Sequence, residues 1–415
     1  MNDHLQRAEK ILKWIDELAS ISENKDFITR TYGTPAFIEG RDKLQQWMND
    51  AGLETRVDNI GNIRGRLASR STHAKTFVIA SHIDTIVNAG KFDGPLGVLL
   101  GLDVLEQLVR SDTPVPFNIE LIGFCDEEGS RFHTTYLGSK AVAGSFDRSV
   151  LDAKDAAGIP LQKVIEQNGG DVNNLSKDAI AKQDWMGYFE IHIEQGPVLY
   201  ERNNPVAVVS SIAGQRRAGM VFNGVAGHAG TVPMDLRKDA LVCASEFVLA
   251  AERFAADNKN DVVATIGKLH IINSASNVIP GEVICSLDIR SANESRLTSS
   301  YEAIKKMAED ICHKRDILLE WNLIQGTKPV ACDGPMSKLL KRSIEQSGFE
   351  ALELVSGAGH DAVPVSEVAP VAMLFVRCFE GISHNPKENV ELRDLAAAIQ
   401  VSDNFIKNLI GAHHS

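Results

Sequence analysis

Residues 76–125 read TFVIASHIDTIVNAGKFDGPLGVLLGLDVLEQLVRSDTPVPFNIELIGFC. Two short, β-branched apolar runs, 76–83 and 118–125, flank a segment at 97–109 whose apolar residues recur at helical spacing. Strands that are apolar on both faces belong to a parallel sheet covered by helices. The order therefore predicts a βαβ unit with a right-handed crossover. A further strand is expected at 187–193 (GYFEIHI), and another at 371–376 ahead of a closing helix at 392–409.

Near Ile212 the texture changes. Strands are expected at 217–223, 262–272, 281–290 and 317–323, with helices at 235–256 and 297–314. Strand, helix, strand, strand, helix, strand is the ferredoxin-like order. After Lys328 the βα texture returns with a helix at 336–347. The fold class that follows is α/β: a catalytic domain with a mainly parallel, doubly wound sheet, interrupted by an inserted α+β ferredoxin-like domain. The expected division is 1–211, 212–327 and 328–415.

Composition narrows the function. The 415 residues carry a formal charge of −12, with 44% hydrophobic and 24% charged residues, which are globular values. No basic stripe is present to neutralise phosphates, so a nucleic-acid partner is not expected. The first twenty residues form an amphipathic, charged helix rather than a secretion signal, and no run approaches the ~20 apolar residues of a membrane span. The six cysteines are scattered without a CxxC pair, as in reduced proteins. A soluble, cytoplasmic protein is expected, with no membrane partner.

Ligands of doubly wound sheets sit beyond the carboxyl ends of the strands. Those ends carry Ser81-His82-Ile83-Asp84, Phe92-Asp93-Gly94, Asp126-Glu127-Glu128-Gly129, His192-Ile193-Glu194-Gln195 and Ser383-His384-Asn385-Pro386. Any one of these is unremarkable alone; a lone H-x-D is usually a surface histidine, and an acidic run is usually a solvated turn. Together they put His, Asp or Glu at every end of one sheet edge, where carboxylates would repel one another unless cations held them. Imidazoles and carboxylates without thiolates suit Zn²⁺ or Mn²⁺, with Co²⁺ or Ni²⁺ as alternatives. Three histidines and two carboxylates exceed one open tetrahedral site and suit two divalent ions about 3.5–4 Å apart that share a carboxylate. A spare glutamate beside them is placed to act as general base. Asp84, two residues beyond His82, is expected to orient that imidazole.

The strings SHIDT, KFDGPLGV, CDEEGSRF, EIHIEQGPVL, GHAGTVPM, SASNVIPGE, SGAGHDA and GISHNP together resemble the dinuclear metallo-amidohydrolases related to aminoacylase and carboxypeptidase G. The resemblance is to the carbamoylase branch: allantoate amidohydrolase, N-carbamoyl-L-amino acid amidohydrolase and β-ureidopropionase. It implies His82, Asp93 and His192 as ligands of one ion, and Asp93, Glu128 and His384 as ligands of the other, with Asp93 bridging. It implies Glu127 as general base, Asp84 as the orienter of His82, and Gln195, His228, Asn277, Arg290, Gly359 and His360 as substrate-binding positions. His228 is also expected to stabilise the oxyanion in the partner subunit's site, since the insertion serves this family as lid and dimerisation domain. A homodimer is therefore expected.

The implied reaction is hydrolysis of a ureido C–N bond, with allantoate the leading substrate, giving ureidoglycine or ureidoglycolate, NH₃ and CO₂. Allantoate carries two ureido groups and a carboxylate; Gln215, Arg216 and Arg217 are further candidates to bind it. An N-carbamoyl-L-amino acid is the alternative substrate. Dipeptide or N-acyl amino acid hydrolysis is disfavoured by His192, where peptidase relatives carry a carboxylate. A non-catalytic metal- or ureide-binding protein is the alternative of a different class.

Overall fold

The computed structural model describes residues 2–71 and 73–414; Met1, Thr72 and Ser415 lie outside the described residues. The chain divides into two compact units, Met1–Ser210 with Cys332–Ser415, and Ser211–Ala331. The return crossing falls after Ala331 rather than at 327/328, because Val330 and Ala331 pair antiparallel with Ile212 and Ser211.

In the first unit, four parallel strands run in the order Asn118–Phe124, Thr76–His82, Trp185–Ile193, Val371–Val376. The first and last of these are buried along their whole length, which explains why the last is apolar throughout and the first apolar but for Asn118 and Glu120. The helix Pro95–Arg110 is the crossover, opened by a proline at its first turn, where the missing N–H is not needed. Antiparallel strands flank the parallel centre: Glu54–Val57 and Ile63–Leu67 on one side, Val206–Ile212 on the other. None of these flanking strands is foretold by the sequence pattern. The helix Asn2–Ser20 is held by Arg7, whose guanidinium donates to Asp103 at 2.7 Å and Asp403 at 2.6 Å. Those two carboxylates sit on Pro95–Arg110 and on the closing helix Leu392–His414. Among the described residues, no helix is long and apolar enough to cross a membrane.

The second unit is an antiparallel sheet in the order Leu318–Thr327, Gly214–Asn223, Glu282–Ser291, with Val263–Thr265 and Leu269–Ile271 both paired to Glu282–Ser291. Two helices, Ala240–Asp257 and Glu294–Lys314, supply Phe247, Leu297 and Ile304 to a core shared with Phe222, Leu287 and Ile289. This is the expected ferredoxin-like order with two differences. The strand expected at 262–272 is broken in two. The helix expected from 235 begins at Ala240, because Asp239 caps it by accepting the N–H groups of Leu241 and Val242.

Candidate metal centre

The carboxyl ends of the four parallel strands bring the candidate ligands together. His82 ends its strand, Glu127 and Glu128 follow Asn118–Phe124, and His192 lies one residue before the end of its strand. His384 lies in the loop after Val371–Val376, and Asp93 precedes the helix Pro95–Arg110. Gly94 has φ 83°, and a Cβ there would lie 2.4 Å from the His82 ring, so the turn that presents Asp93 accepts only glycine.

Three groups of side chains offer ligand atoms within 4.8 Å of one another: His82, Asp93 and His192; Asp93, Glu128 and His384; and His82, Glu127 and Glu128. Asp93 joins the first two. Its Oδ1 lies 3.2 Å from His192 Nε2 and 4.0 Å from His82 Nε2, while its Oδ2 lies 3.0 Å from His384 Nε2. Glu128 Oε1 is 3.5 Å from the same His384 nitrogen.

The histidine tautomers decide what this cluster can hold. His82 Nδ1 lies 3.0 Å from the Asp84 backbone oxygen, and His192 Nδ1 lies 3.0 Å from the Ile193 backbone oxygen. A carbonyl only accepts, so both Nδ1 atoms carry protons, and as neutral imidazoles the two rings would point Nε2 lone pairs inward. Those two Nε2 atoms are only 3.5 Å apart, and both face the carboxylate of Asp93. Lone pairs and anionic oxygens so arranged repel one another unless a cation lies between them. A proton on one ring relieves one contact, whereas a divalent ion serves all three donors. The donor set therefore fits metal ions.

Burial would raise Asp93, but the hydrogen bond from His384 and the charges of His192 and His82 outweigh it and hold the carboxyl well below its ordinary range. Burial, followed by Glu128 and Asp361, pushes Glu127 well above the usual range, and burial pushes Glu128 to about 7. The hydrogen bond with Asp93 raises His384 to about 9.

Asp84 corrects an expectation. Its carboxylate stands 3.9 Å from His82 Nδ1, and the ring is oriented by the Asp84 backbone oxygen instead. The strand ends at His82, so its alternation does not extend to Asp84. The Asp84 carboxylate accepts the backbone N–H groups of Glu127 at 3.1 Å and Glu128 at 3.2 Å, which fixes the chain carrying both glutamates.

Gln195 donates to both Asp93 oxygens, at 3.2 and 3.1 Å. His360 is buried with its Nε2 on Ser356 Oγ at 2.7 Å and its ring edge-on to His192, 4.6 Å between centroids. One nitrogen of the His360 ring is therefore engaged within the protein.

The remaining candidates belong to the second unit. His228 and Asn277 meet on a two-stranded ribbon, where His228 pairs with Val278 and Asn277 O accepts from Ala229 N–H. The Nδ1 of His228 accepts from Gly230 N–H at 3.1 Å, leaving Nε2 as the protonated nitrogen. Arg290 grips Asp288 through Nε at 2.9 Å and a terminal nitrogen at 3.0 Å. Asp288 also accepts from Gln215 at 2.8 Å and Arg217 at 2.9 Å. Arg216 is engaged with Glu294 at 2.5 Å and Thr327 O at 2.9 Å.

Glu388 is a residue the sequence reading missed. Buried behind the cluster, it accepts the backbone N–H groups of Phe92 at 2.8 Å and Asp93 at 3.1 Å, and the Ser383 hydroxyl at 3.0 Å. One carboxylate thus ties the Asp93 turn to the His384 loop. Its only sequence signal is an acid four residues beyond His384. Glu388→Ala is expected to weaken divalent-ion affinity about 10–100-fold, as loss of a carboxylate behind metal ligands does, read by chelator competition.

A family model described as "Peptidase family M20/M25/M40" matches residues 78–408. The chain belongs to this family. It is 37% identical to a probable allantoate deiminase of Oryza sativa subsp. japonica, over 96% of this chain and 88% of that one. It is 34% identical to an N-carbamoyl-L-amino-acid amidohydrolase of Pseudomonas sp. (strain NS671), over 97% and 98%. Its structure resembles that of a hydantoinase/carbamoylase family amidase from Burkholderia multivorans, with TM-score 0.91, 32% identity and 97% of each chain covered.

Proposed function

We propose that the chain is a two-metal amidohydrolase that cleaves the ureido C–N bond of a ureido acid, with allantoate as substrate: R–NH–CO–NH₂ + H₂O gives R–NH₂, CO₂ and NH₃. The observation that carries the reading is the convergence of the His82 and His192 lone pairs on Asp93, with Glu127 beside them. The allantoate deiminase relative supports the substrate.

His82, Asp93 and His192 would hold one ion, and Asp93, Glu128 and His384 the other. Zinc or manganese fits the imidazole and carboxylate donors, with cobalt or nickel as alternatives. When bound, the ion pair supplies charge that polarises a ureido carbonyl and acidifies water. Glu127 takes the proton from the attacking water and passes it to the departing nitrogen. Asp84 keeps Glu127 in place through the backbone. Gln195, beside Asp93, and the Gly359 backbone are proposed to bind the substrate, together with His228, Asn277 and Arg290 from the second unit. His228, with its protonated Nε2, is suited to donate to the developing oxyanion.

Arg290 is proposed to bring positive charge to the substrate carboxylate, its guanidinium held in orientation by the planar fork it makes with Asp288. Arg290→Lys is expected to raise KM for allantoate about tenfold or more, since lysine keeps the charge and loses the fork. The assay that tests the function is ammonia and free-amine release by the metal-loaded protein from allantoate, N-carbamoyl amino acids and a dipeptide. Ammonia from allantoate bears the reading out. Turnover of carbamoyl amino acids alone favours the alternative suggested by the Pseudomonas relative. Turnover of the dipeptide alone, or no turnover with full metal occupancy, contradicts it.

A further inference from the structure

The loop that begins at Glu127 comes back on itself at Tyr136, ahead of the helix Leu137–Ala143, and three backbone hydrogen bonds close it. Tyr136 N–H donates to Glu127 O at 3.2 Å, Leu137 N–H to Asp126 O at 3.2 Å, and Gly138 N–H to Cys125 O at 3.0 Å. Tyr136 is held at φ 64°, in the left-handed region that bulky side chains seldom occupy. Such strain gathers at functional sites, where the surroundings enforce it.

The side chain reaches the loop of Gly359, His360 and Asp361. A Cβ built on Gly359 would lie 1.8 Å from the Tyr136 hydroxyl oxygen and 3.1 Å from the ring carbon bearing it. Gly359 is glycine because this phenol occupies the space a side chain would take. Among the described residues, no hydrogen bond to the hydroxyl is formed, although the residue is only partly exposed. Burial, then the charges of Glu127 and Asp361, push the phenol pKa upward, so the group is a neutral donor throughout the range in which the enzyme would work. A polar oxygen packed against the Gly359 backbone, near enough to Glu127 to feel its charge and given no protein partner, is suited to a ligand.

We propose that Tyr136 contacts the substrate, its phenol donating a hydrogen bond to an oxygen of the ureide bound between Glu127 and Gly359. This rests on the ureide-hydrolase reading. Two oxygens of allantoate present the same chemistry, the carbonyl of the carbamoyl group being cleaved and that of the second ureido group.

Tyr136→Phe removes the oxygen and keeps the ring. Steady-state kinetics on allantoate and on N-carbamoylglycine, with metal content and Tm measured in parallel, test the contact. With metal content and Tm at wild-type values, kcat/KM is expected to fall about tenfold or more, the size of one lost hydrogen bond in a closed site. Loss on both substrates places the bond on the cleaved carbamoyl group; loss on allantoate alone places it on the second ureido group. Wild-type kinetics on both substrates from Tyr136→Phe overturns the proposal and leaves the ureide reading standing. A wild-type enzyme inert toward both overturns that reading, and this proposal with it.

Discussion

Glu127→Gln is expected to keep its divalent-ion content and to lower the rate of ureide hydrolysis by about 10³-fold, the middle of the range for losing a positioned general base. Glutamine has the size of glutamate and can make similar hydrogen bonds, but it cannot take a proton from water. The backbone N–H of residue 127 still donates to Asp84, so the loop stays in place. In the cation-free cluster, burial and the facing carboxylates Glu128 and Asp361 push Glu127 upward. Divalent charge nearby acts in the opposite direction, leaving a carboxyl group able both to accept a proton and to return it. Metal analysis and ammonia release on the same preparation check this. Substantial activity in the variant would remove Glu127 from the role of base.

The second large effect concerns Asp93. Its two oxygens face different histidines, Oδ1 towards His192 and Oδ2 towards His384. Asp93→Ala is therefore expected to reduce binding from two ions per chain to none at micromolar metal and to abolish turnover. His384→Ala, which touches only one group, is expected to cost one ion. Unfolding would produce the same loss, since the imidazoles around Asp93 stabilise its carboxylate in the folded chain. Metal-to-protein ratios after desalting, alongside Tm, separate the two explanations. Two tightly held ions in Asp93→Ala would exclude it as the bridge.

The parallel centre of the sheet was legible because strands buried on both faces are mostly apolar, as 76–82 and 118–124 are. The flanking hairpin was not. Ile63–Leu67 carries Arg64, a residue that reads as exposed, and its burial depends on Glu120, 56 positions away, at 2.6 and 2.9 Å. The proposed ligands could be read because the carboxyl ends of parallel strands are a place defined by topology. Their neighbours could not, because their contacts are not local. Strand alternation pointed the Asp84 carboxylate at His82, but the strand stops first and the carboxylate serves the Glu127 backbone. Glu388 and Tyr136 act across 295 and 223 positions respectively, on Asp93 and Gly359, and nothing in the local sequence announces either partnership.

Anomalous diffraction from crystals of the metal-loaded protein addresses the central claim directly. Two peaks are expected about 3.5–4 Å apart with Asp93 between them, one within coordinating distance of His82 and His192 and the other of Glu128 and His384. Peaks elsewhere on the chain, or none at saturating metal, would contradict the account.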